Sequence, residues 1–142
     1  MTDDDTHVAF VCVQNAGRSQ MATAYAERER EARKLTDAVV IHSGGTHPAD
    51  AVHDIVREAM AEEGIDLSER EPQHISDETL ESCDYVATMG CSTLELEAET
   101  DVRDWDLPDP HGENLETIHE IREDIRGRVK ALFDEIDATR QE

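Results

Sequence analysis

The stretch His7-Val8-Ala9-Phe10-Val11-Cys12-Val13-Gln14-Asn15-Ala16-Gly17-Arg18-Ser19 decides how this chain folds. Its first half is a nearly continuous apolar run, short enough for a strand buried on both faces. Gln14 to Ser19 then interrupts the run with Asn15 and Gly17, a loop composition. From Gln20 to Lys34, Met21, Ala22, Ala24, Tyr25 and Ala26 followed by Glu and Arg residues favour helix. The unit reads as strand, tight loop, helix, which puts Gln14 to Ser19 at a helix N-terminus.

The same alternation repeats along the chain. Ala38-Val39-Val40-Ile41 reads as a second buried strand, closed by Ser43-Gly44-Gly45-Thr46. Ala49 to Glu63 follows as a helix, with Val52, Ile55, Val56, Ala59 and Met60 at helical spacing and Gly64 as its stop. After a loop around Pro72, Ser76 is placed to cap a short helix running through Ser82. Tyr85 to Met89 forms the third strand, with Gly90-Cys91 at its carboxyl end. Ser92 to Thr100 reads as a short helix, Val102 to Trp105 as a brief fourth strand, and Leu107 to Gly112 as a loop. From Asn114 on, Leu115, Ile118, Ile121, Ile125, Val129, Leu132 and Ile136 recur every three or four residues, the stripe of a long helix packed on a core.

Short apolar strands alternating with helices imply an α/β domain: a four-stranded parallel sheet with helices on both faces, a Rossmann-like three-layer arrangement over residues 1–142 as a single domain. Ligands of such sheets bind beyond the carboxyl ends of the strands, so Cys12, Ser43, Cys91 and the Asp109 loop are expected to gather there.

Composition bounds the function. The chain has 142 residues, 35 acidic against 13 basic, a formal charge of −22 and 37% hydrophobic residues. No run approaches the roughly 20 apolar residues of a membrane span, and Met1-Thr2-Asp3-Asp4-Asp5 lacks the features of a signal peptide. A soluble, cytoplasmic protein is expected. The charge repels phosphate backbones and anionic lipid, so neither nucleic acid nor membrane is an expected partner. Any anionic ligand needs a local positive pocket. The acids are spread along the chain among periodic apolar residues, which argues for a folded, highly solvated protein over a disordered one. Lys34 and Lys130 are the only lysines, and that skew with the acid excess resembles cytoplasmic proteins of salt-accumulating halophiles.

Cys12 through Ser19 carries the chemistry. Backbone N–H groups of Val13, Gln14, Asn15, Ala16, Gly17 and Arg18 can turn inward at a helix N-terminus, Arg18 adds a bidentate charged fork, and Gly17 permits backbone geometry a side chain would forbid. Together with Ser19 they form a cradle for a tetrahedral oxyanion. The same field favours thiolate over thiol at Cys12. Ser19 can donate to that sulfur and Asn15 can brace the loop through side-chain hydrogen bonds. An inert buried cysteine beside a solvated Arg18 is the bland alternative, and it leaves the glycine, serine, strand and helix in register unexplained. Asp109 before Pro110 reads either as a loop carboxylic acid or as an ordinary turn residue. Cys83 reads as a buried small hydrophobe. No metal-ligand spacing is present, so no metal site is expected, and the histidines read as solvated or locally bonded, with His47 and His111 nearest the cleft.

These residues resemble the phosphate-binding loop of the low-molecular-weight protein tyrosine phosphatases and of the arsenate reductases that share their fold. Further matches lie in Ser43-Gly44-Gly45-Thr46 with Pro48-Ala49, in Ala59-Met60, and in Gly64-Ile65-Asp66-Leu67-Ser68. Thr88-Met89-Gly90-Cys91, Trp105-Asp106-Leu107-Pro108-Asp109-Pro110 and Ile121-Arg122-Glu123-Asp124-Ile125 with Arg128-Val129 are more similar to the reductase branch. The resemblance implies Cys12 as nucleophile, Arg18 and the loop amides as oxyanion ligands, Asp109 as general acid and Cys91 as the second cysteine, which attacks the first to release arsenite. His111-Gly112 follow Asp-Pro where the phosphatases commonly carry an aromatic residue, and Leu94 to Ala98 stand where thioredoxin-linked reductases have a third cysteine.

Arsenate reduction is the leading expectation. It needs no bound cofactor but an external thiol reductant, either a thioredoxin-like partner or a low-molecular-weight thiol. A phosphomonoesterase acting through a phosphorylated Cys12 is the alternative, and a non-catalytic oxyanion or partner-binding module is a third.

Overall fold

The computed structural model describes residues 5–12, 15–45, 47–67, 70–89, 101–105 and 114–140. Its elements are β1 (Thr6–Cys12), α1 (Arg18–Ala32), β2 (Val39–Gly45), α2 (Asp54–Ala61), α3 (Asp77–Glu81), β3 (Tyr85–Met89), β4 (Asp101–Asp104) and α4 (Leu115–Arg140). The four strands form one sheet in the order β2-β1-β3-β4, every pair parallel. Cys12 stands opposite Gly45 on one side and Met89 on the other, so three strand ends meet at one level.

The pleat sorts side chains onto two faces. Val8, Phe10, Cys12, Ala87 and Met89 face a large core filled by α1, α2 and α4, where Met21, Tyr25, Met60, Ile118, Ile125 and Phe133 are buried. Ala9, Val11 and Val86 face a smaller one with Ile75, Leu80 and Cys83. Helices therefore lie on both faces, unequally: three on one and the five-residue α3 on the other among the described residues. Ser76 accepts from the Thr79 N–H at 3.1 Å and caps α3, and Asn114 accepts from the Thr117 N–H at 2.9 Å at the start of α4.

Two boundaries differ by more than two residues from those expected of the sequence, each for a visible reason. β2 extends through Ser43, Gly44 and Gly45, which composition assigns to a loop. The extension is held because Gly45 pairs with the 73–75 segment: its N–H donates to Gln73 O at 2.8 Å and its carbonyl accepts from Ile75 N. Gly44 is required at that point, since a Cβ there would lie 2.4 Å from Ile75 Cβ. α2 starts at Asp54 and not at Ala49, because the His53 N–H is bonded to the Ala16 carbonyl at 2.9 Å. The expected helix at 92–100 and the loop at 107–112 lie outside the described residues.

Candidate active site

The loop after β1 folds around a buried polar network. Cys12 and Arg18 are nearly buried, and Asn15 and Ser19 are fully so. Cys12 Sγ lies 2.9 Å from Ser19 Oγ, and the Asn15 backbone N–H donates to the same sulfur at 3.1 Å. A backbone amide and a hydroxyl thus converge on one buried sulfur.

The orientation of the Asn15 amide follows from its neighbours. Asn15 Oδ1 accepts from the Gln73 backbone N–H at 3.0 Å, a group that can only donate, so the amide orientation is fixed. Asn15 Nδ2 must then donate, which it does to Ser19 Oγ at 2.7 Å and Ser43 Oγ at 3.0 Å. Ser19 Oγ thus accepts from Asn15 and shares a hydrogen bond with Cys12 Sγ. Gln20 Nε2 closes the network by donating to both Asn15 oxygens, at 3.0 and 3.1 Å.

Asn15, not Gly17, is the loop residue in the left-handed region, at φ 52°. Asparagine is among the few side chains that tolerate this conformation, and Gly17, at φ −143° and ψ −92°, lies outside the regions side chains favour, as expected of it. Gly17 is the N-cap of α1, whose first turn carries no side-chain cap. A helix N-terminus without a side-chain cap favours an anion. Thr23 Oγ1 donates to Ser19 O at 2.7 Å one turn on, and the His53 bond to Ala16 ties the loop to the start of α2.

Ser43 reaches the loop through Asn15, as the topology leads one to expect, and Asn15 and Ser19 meet Cys12. Val13, Gln14, Cys91, Asp109 and His111 lie outside the described residues. Gln20, Gln73 and His53 carry bonds that sequence reasoning misses. Gln20 follows the motif directly, and that adjacency is a usable signal; Gln73 is 58 residues from Asn15 and offers none.

Cys83 stands apart from this network. It is buried, its Sγ donates to Thr79 O at 3.3 Å, and burial, with the Asp84 carboxylate beside it, pushes its thiol up to about 11. It is therefore a neutral packing residue, as composition implies. Among the described residues no group of three or more His, Cys, Asp or Glu side chains is placed to hold a metal ion. Three histidines are seen to be locally bonded: His119 meets Glu62 at 2.6 Å, and His7 meets His42 at 3.1 Å with their rings stacked. Burial, and then the neighbouring His7, lower the His42 imidazole below its ordinary value.

A parallel sheet with a Cys-(five residues)-Arg-Ser loop leading into α1 defines a class, and comparison with known proteins agrees. Residues 7–142 match the family model described as low molecular weight phosphotyrosine protein phosphatase, and the chain belongs to that family. It is 66% identical over 134 residues to a Halobacterium salinarum protein named "Putative arsenate reductase", the match covering 94% of each chain. A glutaredoxin arsenate reductase of Synechocystis is 29% identical over 133 residues, 91% of this chain and 97% of that one. Among solved structures, a thioredoxin-dependent arsenate reductase of Corynebacterium glutamicum superposes with a TM-score of 0.80 at 33% identity, covering 98% of this chain and 65% of that protein.

Proposed function

We propose that this protein is an enzyme that reduces arsenate to arsenite. The observation that carries the reading is the Cys12 sulfur, held by the Ser19 hydroxyl at 2.9 Å and the Asn15 amide at 3.1 Å beside an uncapped helix start and a buried Arg18. Relatives named as arsenate reductases match it along nearly its whole length.

In this reading Arg18 and the amides of Val13 to Arg18 bind the arsenate oxygens, and Cys12 attacks arsenic. An oxygen leaves as water, with Asp109 the group assigned to supply its proton. The Cys91 thiolate then attacks Cys12 Sγ. The S–S bond forms, the S–As bond breaks, and its electron pair stays on arsenic, which leaves as arsenite. The two cysteines have lost two electrons and arsenic has gained them. An external thiol, from a thioredoxin- or glutaredoxin-like protein or a small thiol, returns the disulfide to two thiols. We place the protein in the cytoplasm, where such thiols are kept reduced, and assign its acid excess to life in high salt.

The family's phosphatase description supports a second reading, in which Cys12 takes a phosphoryl group and water removes it. The two share a first step and part at Cys91. Cys91→Ser is expected to abolish arsenate turnover while p-nitrophenyl phosphate hydrolysis persists. A wild-type enzyme that hydrolyses the ester briskly and reduces arsenate with no thiol system overturns the reductase reading in favour of the second. Cys12→Ser leaving every activity intact would sink both and leave a binding module.

A further inference from the structure

The outer edge of the sheet at β2 is incompletely closed. In a parallel ladder the backbone groups of alternate residues point to opposite sides. The Thr6 N–H donates to Ala38 O, so Val40, His42 and Gly44 turn toward β1, and Val39, Ile41, Ser43 and Gly45 turn outward. The ends of that outward row are taken: Val39 N–H by Leu35 O, Val39 O by Arg30, Gly45 by Gln73 and Ile75, and Ser43 O by the Gln73 side chain at 2.6 Å. The Ile41 N–H, the Ile41 carbonyl and the Ser43 N–H have no partner among the described residues. Ile41 and Ser43 line a groove of about 480 Å³ together with Thr23, the ion-paired Glu27 and Arg70, His74 and Thr79.

We propose that this window is a docking site for a short, extended, basic segment of a partner protein, which adds to β2 as a fifth strand. Three backbone groups at strand spacing are what an added strand needs, and this mode of recognition draws its affinity from the main chain. Charge selects the occupant. Each copy of this chain carries −22, which opposes edge-to-edge pairing of two copies, whereas a lysine- or arginine-bearing segment is attracted. Arg70 adds little opposition because Glu27 pairs with it, and Glu71 stands exposed where the groove continues. That continuation is a recess of about 200 Å³ that shares Ser43, Arg70 and Gln73 and reaches Asn15 and Gln20. A docked partner is thereby brought beside the Cys12 loop. The inference stands whether the enzyme reduces arsenate or hydrolyses esters.

The test uses the whole protein and three blocked pentapeptides: alternating Lys and Val, alternating Glu and Val, and the Lys–Val peptide methylated at every backbone nitrogen. In the free protein the Ile41 and Ser43 amides are expected to exchange with solvent faster than those of Val40, His42 and Gly44. The Lys–Val peptide should shift the Ile41 and Ser43 amide resonances, slow their exchange about tenfold or more, and bind about tenfold tighter than its acidic counterpart at low salt. N-methylation keeps the charge and removes the strand's donors, so it should abolish binding. Ile41→Pro deletes the outward N–H while sparing the bonds to β1, a substitution edge strands accept, and should weaken the Lys–Val peptide about tenfold. Resonance shifts confined to the acidic face of α4, equal binding of the methylated peptide, or no binding at millimolar concentration would each overturn the proposal. The peptide-methylation arm decides the matter even if the proline variant fails to fold.

Discussion

The Cys12–Ser19 loop and α4 both bury their residues, by opposite means. In the loop many of the buried groups are polar and bond one another: Asn15 alone bonds Ser19, Ser43, Gln20 and Gln73. In α4 the buried groups are the apolar stripe of Ile118, Ile121, Ile125, Val129, Leu132, Phe133 and Ile136, and most of the charged residues are left in water. Apolar burial is graded, losing roughly 1 kcal/mol for each methylene removed. A closed polar network is not graded, because deleting one member orphans its buried partners and each orphan costs about 1–3 kcal/mol.

The largest expected effect lies in the loop. Asn15→Ala leaves Ser19, Gln20 and the Gln73 N–H without their partner and replaces a left-handed asparagine by a residue that resists it. We expect a loss of about 3 kcal/mol in denaturant unfolding and a fall in turnover of about 100-fold, a larger loss than truncating one methylene from α4. Equal stability of Asn15→Ala and Ile125→Val would erase the contrast. Gly44→Ala, behind the loop, forces a methyl onto Ile75, whose N–H is held by Gly45, and should cost about 1–3 kcal/mol by overpacking.

Tyr25 sharpens the comparison from the apolar side. Its hydroxyl is buried at the junction of α1 with α4, has no hydrogen-bond partner among the described residues, and is pushed up to about 12 by burial and then by Glu63. The folded value exceeds the ordinary 10.0, so the stabilisation it gives is complete below pH 10 and lost as pH rises through about 12. Thermal unfolding should show that decline between these values, and Tyr25→Phe should flatten it. The smallest effect is expected at Gly127 in α4, which is exposed and has nothing within 4 Å of the place an added methyl would take; Gly127→Ala should stabilise by about 0.5–1 kcal/mol without changing turnover.

The contrast also explains what can be read from sequence. The α4 stripe is plain because periodic apolar burial is written in local spacing. The strand-loop-helix unit is plain for the same reason, and with it Cys12, Arg18 and Ser19. Ser43-Gly44-Gly45 misleads because glycines signal a loop locally, whereas here one admits Ile75 and the next pairs with the 73–75 segment. Asn15 is legible as a brace but not as the left-handed residue, and Gln73 is illegible, since its contact exists only once a distant segment closes over β2.

The central claim is that Cys12 faces a bound oxyanion as the reactive sulfur. Alkylation by iodoacetamide near neutral pH, with each cysteine followed by peptide mass spectrometry and arsenate or phosphate added in rising amounts, tests it directly. The account predicts that Cys12 is modified readily, that either anion protects it in a saturable way, and that buried Cys83 stays unmodified throughout. Modification of Cys12 that neither anion slows would contradict it.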